Sequence, residues 1–108
     1  MHIVTLRIKV PKDQRKNFLE ASQLVIEPTR VQPGCMSCRL YQDVNDPDAV
    51  LLVEEWENRN ELERHLKSDR YRIVLSLLDL SEKPPEFNLC TIQKTEGLEA
   101  LEAIRETA

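Results

Sequence analysis

The sequence predicts a single α+β domain, an antiparallel four-stranded sheet with helices on one face and a short extra helix at the end. Three observations carry this. Apolar residues alternate with polar ones before Pro11 and recur at helical spacing after it. In the middle of the chain, a turn rich in Asn, Asp and Pro separates two strand-like runs, as in a hairpin. A second helical stretch then leads to a last strand-like run.

Val4, Leu6, Ile8 and Val10 alternate with Thr5, Arg7 and Lys9, which predicts a strand over residues 3–10. Pro11 is expected to open the first helix, where a missing N–H does no harm. Phe18, Ala21, Ser22 and Val25 share one helical face, with Leu19 and Ile26 beside them. Pro28 is expected to end or kink this helix near Ile26. Gln32-Pro33-Gly34 signals a turn. The second strand is expected over residues 35–44, the hairpin turn at Asn45-Asp46-Pro47-Asp48, and the third strand over 49–57. Val50, Leu51, Leu52 and Val53 make both faces of that strand apolar, so something must pack on each.

Asn58 and Glu61 have the spacing of a capping box ahead of a helix carrying Leu62, His65 and Leu66 on one side. Asp69 is placed to cap a further helical stretch, Tyr71 to Leu80, that is apolar most of the way round. Lys83-Pro84-Pro85 connects to a fourth strand over residues 87–94. Thr95 is placed to cap a last helix with Leu98, Leu101 and Ile104 along one side. A helix of about a dozen residues is marginal alone, so it is expected to dock somewhere. The order βαββαβ is the ferredoxin-like arrangement. Residues 1–95 make the domain and 96–108 a C-terminal helical extension. Helices cover one face of such a sheet, so the second apolar face of the third strand calls for a partner.

A chain of 108 residues fits one domain, and 41% hydrophobic with 31% charged residues is a globular balance. The net charge of −4 is interspersed, with no basic stripe, which speaks against a nucleic-acid partner. The longest apolar run is too short to cross a bilayer, so no membrane association is expected. The chain goes straight into a strand pattern with no signal peptide expected. Its three cysteines are an odd number, which argues against a disulfide framework and for a reducing cytoplasm.

Several residues invite a chemical reading. Cys35-x-x-Cys38 lies at the start of a strand, not at a helix N-terminus, and its spacing is expected to put the thiols on opposite faces. No second pair exists to complete a zinc site. His65 is the best general base available, or else a hydrogen-bonded residue at a helix–sheet boundary. Glu54 and Trp56 point to one face of the third strand. Glu54 is costly to bury unless paired, and Arg39 or Arg7 could pair with it, or it could be a site carboxylate. Arg39 and Tyr41 share a face of the second strand, exposed or able to donate hydrogen bonds to a phenolate. Tyr71 reads as core with a wet hydroxyl. With only Gly34 and Gly97, no Gly-rich phosphate loop is available, and no metal-ligand spacing occurs. Any enzyme here would work without nucleotide and without metal.

The stretch Val53-Glu54-Glu55-Trp56 through His65-Leu66-Lys67-Ser68 resembles the antibiotic biosynthesis monooxygenase domains, which carry Glu-x-Trp at a strand end and a His about nine residues after the Trp. Pro33-Gly34-Cys35, Arg39-Leu40-Tyr41 and the Asp46-Pro47 turn resemble the same family's second strand and hairpin. The resemblance covers roughly residues 1–94. It implies a homodimeric α+β barrel in which two sheets face one another. It also implies a monooxygenase that oxidises a small electron-rich aromatic with O₂ and no flavin, haem or metal. His65 would be the base, Trp56 a pocket wall, and Tyr41 and Arg39 would bind substrate oxygens. Glu54 would orient a neighbour, and Tyr71 would join the substrate-binding set. The pocket would lie between sheet and helices, beside the imidazole. A non-catalytic binding or scaffold barrel is the other reading. Related haem-degrading members use an Asn on the first strand, and Ile3-Val4-Thr5-Leu6-Arg7 has none.

Overall fold

The period-two alternation of Val4, Leu6 and Ile8 against Thr5 and Arg7 does produce a strand, β1 (His2–Lys9). It runs along the middle of the sheet. The computed structural model describes residues 1–107. After β1 come α1 (Arg15–Arg30), β2 (Cys35–Gln42), β3 (Ala49–Trp56), α2 (Arg59–Leu66), α3 (Tyr71–Leu78), β4 (Glu86–Thr91) and α4 (Leu98–Glu106). The strands pair antiparallel in the order β2-β3-β1-β4, the ferredoxin-like arrangement. β2 and β4 are free edges, so the sheet of one chain does not close into a barrel.

Register decides which side chains share a face, because directly opposed residues point the same way. Val4 opposes Glu54, Leu6 opposes Leu52 and Ile8 opposes Val50, so these six lie on one face. There they meet Phe18 and Val25 of α1, Leu62 of α2, and Tyr71 and Val74 of α3 in the buried core. Each such burial contributes about 1.5–3 kcal/mol. The opposite face carries Ile3, Thr5, Arg7, Arg39, Tyr41, Leu51 and Val53. None of these belongs to the clusters formed with the helices.

Several local expectations change. Pro11 precedes a 3-10 turn, Lys12–Gln14, and α1 begins only at Arg15. Pro28 neither ends nor breaks α1, which continues to Arg30. The proline removes one backbone donor, but Thr29 Oγ1 donates to the Val25 carbonyl (2.6 Å) and Gln32 Nε2 to the Pro28 carbonyl (3.4 Å), holding the last turn. Asn58 accepts from the Glu61 N–H at 2.9 Å as expected, whereas the Glu61 carboxylate turns to Arg64. Ahead of α3, Ser68 Oγ, not Asp69, accepts from the Tyr71 N–H. Gly97, not Thr95, is the residue that caps α4.

Gly34 needs to be glycine. Its φ is +82°, and a Cβ there would meet Glu61 Cβ at 2.8 Å. Its carbonyl accepts from the Glu57 N–H, fastening the turn to the end of β3. At the other end of the chain, α4 packs broadly against no other element, and Leu98, Leu101 and Ile104 are exposed. The expected docking of α4 is therefore not made within one chain. No helix is long and apolar enough to cross a membrane.

Candidate active site

Two residues apart on β3, Glu54 and Trp56 must share a face, and the register puts that face under the helices. The Asn58 cap starts α2 just after β3, and one turn beyond Leu62 the helix carries His65 back over the strand end. Trp56 Nε1 donates to Glu54 Oε1 at 3.1 Å, and His65 Nε2 lies 2.9 Å from the same oxygen. The oxygen sits out of line with the ring N–H, so this is a close electrostatic contact, not a well-directed hydrogen bond. His65 Nδ1 has no partner. The Glu54 and His65 side chains are 1% and 2% exposed.

A carboxylate this deep is costly unless a positive charge or strong donors face it. Among the described residues no lysine or arginine pairs with Glu54: Arg7 goes to Asp43 at 3.4 Å, and Arg39 lies on the other face of the sheet. The expectation that Arg39 or Arg7 would pair with Glu54 is thus corrected by the register. His65 is the one neighbour able to bring a positive charge to it. The imidazole is held on two sides, by Trp56 with ring centroids 4.9 Å apart and by the edge of Tyr71 at 5.2 Å. Burial, and then the Glu54 carboxylate, raise the Tyr71 phenol above its ordinary range, so it stays a neutral O–H.

The cysteines are also closer to the site than their spacing suggests. A bulge between Cys35 and Ser37 inserts one extra residue, so Cys35 opposes Trp56 while Cys38 opposes Glu54. Both thiols therefore lie on the helix-covered face, not on opposite faces. Burial, and after it the Glu54 charge, raise both, with Cys38 pushed up to about 12. Both shifts disfavour the thiolate, the form a reactive cysteine needs.

Arg39 and Tyr41 do not join this group. They oppose Val53 and Leu51 on the open face, with the sheet between them and His65. The expected single pocket also divides in two. An apolar cavity of ≈ 20 Å³ lies between sheet, α1 and α3, walled by residues such as Leu6, Phe18 and Val74, with no catalytic candidate in its wall. That is room for about one water. A separate cleft of ≈ 170 Å³ lies beside His65 and Trp56, with Gln32, Arg64, Ser68 and Arg70 among its walls. Sequence reasoning did not mark Arg64, Ser68 or Arg70. They gather around His65 because the chain turns between α2 and α3, and no period reads across that break. Among the described residues, no group of three or more His, Cys, Asp or Glu side chains is placed to hold a metal ion.

Residues 1–74 match the family model described as antibiotic biosynthesis monooxygenase. The chain belongs to the antibiotic biosynthesis monooxygenase family. An uncharacterized protein of Synechocystis sp. is 35% identical over 97 residues, 89% of this chain. The chain spans 66% of that relative's length. Among solved structures, a conserved protein from Methanosarcina mazei is 25% identical with a TM-score of 0.79, covering 85% of this chain and 92% of that one. A structure described as an antibiotic biosynthesis monooxygenase is 22% identical with a TM-score of 0.77, covering 87% of this chain and all of that one. The family match includes β1 through α2 and so takes in Glu54, Trp56 and His65, while α4 lies beyond it.

Proposed function

We propose that the chain is a cofactor-independent monooxygenase that oxidises a small phenol or quinol with O₂, using His65 as base. The observation that supports this most is the buried contact of His65 Nε2 with Glu54, which leaves Nδ1 without a partner. The Glu54 carboxylate against Nε2 orients the ring and leaves Nδ1, without a partner, as the nitrogen that takes the proton. The substrate hydroxyl loses its proton to His65, and the phenolate passes one electron to O₂. The aryloxyl radical, through a ring carbon that carries spin density, and superoxide combine to form a C–O bond. The O–O bond then breaks, one oxygen staying on the ring and the other leaving as water. For a quinol the balance is quinol plus O₂ to hydroxyquinone plus water. Trp56 backs the imidazole, Glu54 orients His65, and Tyr71 packs against the ring.

The protein works as a homodimer, with Ile3, Leu51 and Val53 of the open face covered by the same face of a second copy. Static light scattering at micromolar concentration is expected to give twice the chain's mass, and a monomer would overturn that assignment.

Oxygen uptake with a panel of quinols and phenols tests the reaction. At least one compound is expected to consume O₂ well above its own autoxidation, one O₂ per product, with no flavin or metal added. A second reading has an observation of its own: both His65 nitrogens are buried and the apolar cavity holds about one water. On it, the chain is a non-catalytic binding barrel, and uptake would stay at the autoxidation rate across the panel. A strong Soret band in the purified protein would point instead to haem.

A further inference from the structure

Two surfaces of the chain lack a cover, and they are of opposite charge. The first is α4. Leu98, Leu101 and Ile104 form one ridge of it and are 67%, 52% and 69% exposed. None of its residues is buried. A nine-residue helix with so little to pack on is marginal alone. Its polar side carries three glutamates, Glu99, Glu102 and Glu106, against the single Arg105. The second surface is a cleft of ≈ 510 Å³ beside the edge strand β2, walled by Arg30, Met36, Ser37, Cys38 and Arg39. Met36 is 58% exposed. Arg30 is met by Glu27 at 3.1 Å, whereas Arg39 pairs with no carboxylate among the described residues.

The strand register sets these two surfaces level with each other. Thr91, His2, Trp56 and Cys35 make one row across the sheet, so β4 ends where β2 begins. The ladder runs one residue further, with the Ile92 N–H donating to the Met1 carbonyl at 2.8 Å, before the chain leaves for α4. Within one chain the two surfaces lie at opposite edges, with β3 and β1 between them. A two-fold axis along the strands, with the open faces together, changes that. It lays the β4 edge of one copy over the β2 edge of the other and keeps matching ends together. Residues 93–97 can span about 17 Å, more than the roughly 10 Å between packed sheets. Two α4 helices paired with each other would set acid against acid, whereas the β2 cleft offers them arginines. We infer that α4 is an arm exchanged between two copies of the chain. It lies in the cleft beside β2 of the second copy, its apolar ridge on Met36 and its glutamates towards Arg30 and Arg39. Exchange of an identical element is a low-cost way to hold a dimer. This rests on the proposed homodimer and names the segment that locks it.

The test separates the arm from the dimer. Sedimentation equilibrium of the whole protein reads the dissociation constant between subunits. Leu101→Glu changes a side chain that is exposed in its own chain, so the domain's core stays intact. It is expected to raise the constant at least about ten-fold, the scale of one leucine lost from a buried contact. Arg39→Glu is expected to raise it about three-fold in the native chain, as for an ion pair near the surface. On top of Leu101→Glu it should cost nothing more, because the arm is already loose. Methyl contacts observed by NMR in a dimer mixed from ¹³C-labelled and unlabelled chains locate the arm: Met36 of one copy should meet Leu98 and Leu101 of the other. A Leu101→Glu dimer of native affinity, an equal cost of Arg39→Glu in both backgrounds, or contacts of Met36 with α4 only within one chain overturns the arm and leaves the dimer standing. Contacts between one α4 and the other do the same. A native protein that stays a monomer at every concentration sinks the dimer and the arm together.

Discussion

Replacing His65 by glutamine is expected to lower the turnover of the best panel substrate by about two to four orders of magnitude. The substitution keeps an N–H donor near Glu54, so the buried carboxylate is not left bare, but an amide cannot accept a proton at neutral pH. Because both side chains are almost wholly buried, an alanine there would mix lost chemistry with the cost of an unpaired carboxylate, about 3–5 kcal/mol. Glutamine keeps the two apart. The companion Glu54→Gln retains shape and replaces the carboxylate that lies against the imidazole, and its loss should be in kcat with little change in KM. The measurement is oxygen uptake under saturating substrate, with circular dichroism to show that each variant is folded. A folded His65→Gln protein with native kcat would take His65 out of the reaction.

Trp56→Ala is expected to cost about 3–5 kcal/mol of folding free energy, the range for truncating a large buried aromatic. Trp56 is fully buried at the end of β3, packs with Val4 and Leu62, and donates to Glu54. At about 4–8 °C per kcal/mol for a chain near this size, the melting temperature should fall by tens of degrees. Trp56→Phe keeps most of the volume and loses only the N–H, so it should cost about 1–3 kcal/mol, the range for an unmet buried acceptor. Urea titration of both variants gives the two numbers. An alanine variant that lost under about 1 kcal/mol would mean that the indole is not a structural support of the site.

The sequence showed the element order because patterning is local: β1 alternates, α2 carries its own cap, and the Asn-Asp-Pro turn joins β2 to β3. Glu54 and Trp56 on one face followed from a spacing of two, and His65 near them from one helical turn beyond Leu62. What depends on how one strand meets another was not legible. Nothing within β2 says that Arg39 opposes Val53, so its place on the open face, away from Glu54, waits on register. The bulge at Cys35 and Ser37 likewise breaks the count by twos that put the two thiols on opposite faces. Pro28 misled for a different reason. Side-chain bonds from Thr29 and Gln32 support a helix end that the proline alone would weaken. Arg70 was hidden because a turn, not a repeat, brings it to the cleft.

The free-standing α4 has a practical bearing on hydrodynamics. The chain's radius of gyration is 16.0 Å, against about 13 Å for a compact chain of this length, and its longest dimension is 50 Å. An elongated particle drags more than a sphere of equal weight and elutes early from a sizing column. Elution volume would therefore overstate the mass of a single chain, which is why scattering intensity is the quantity to count subunits by.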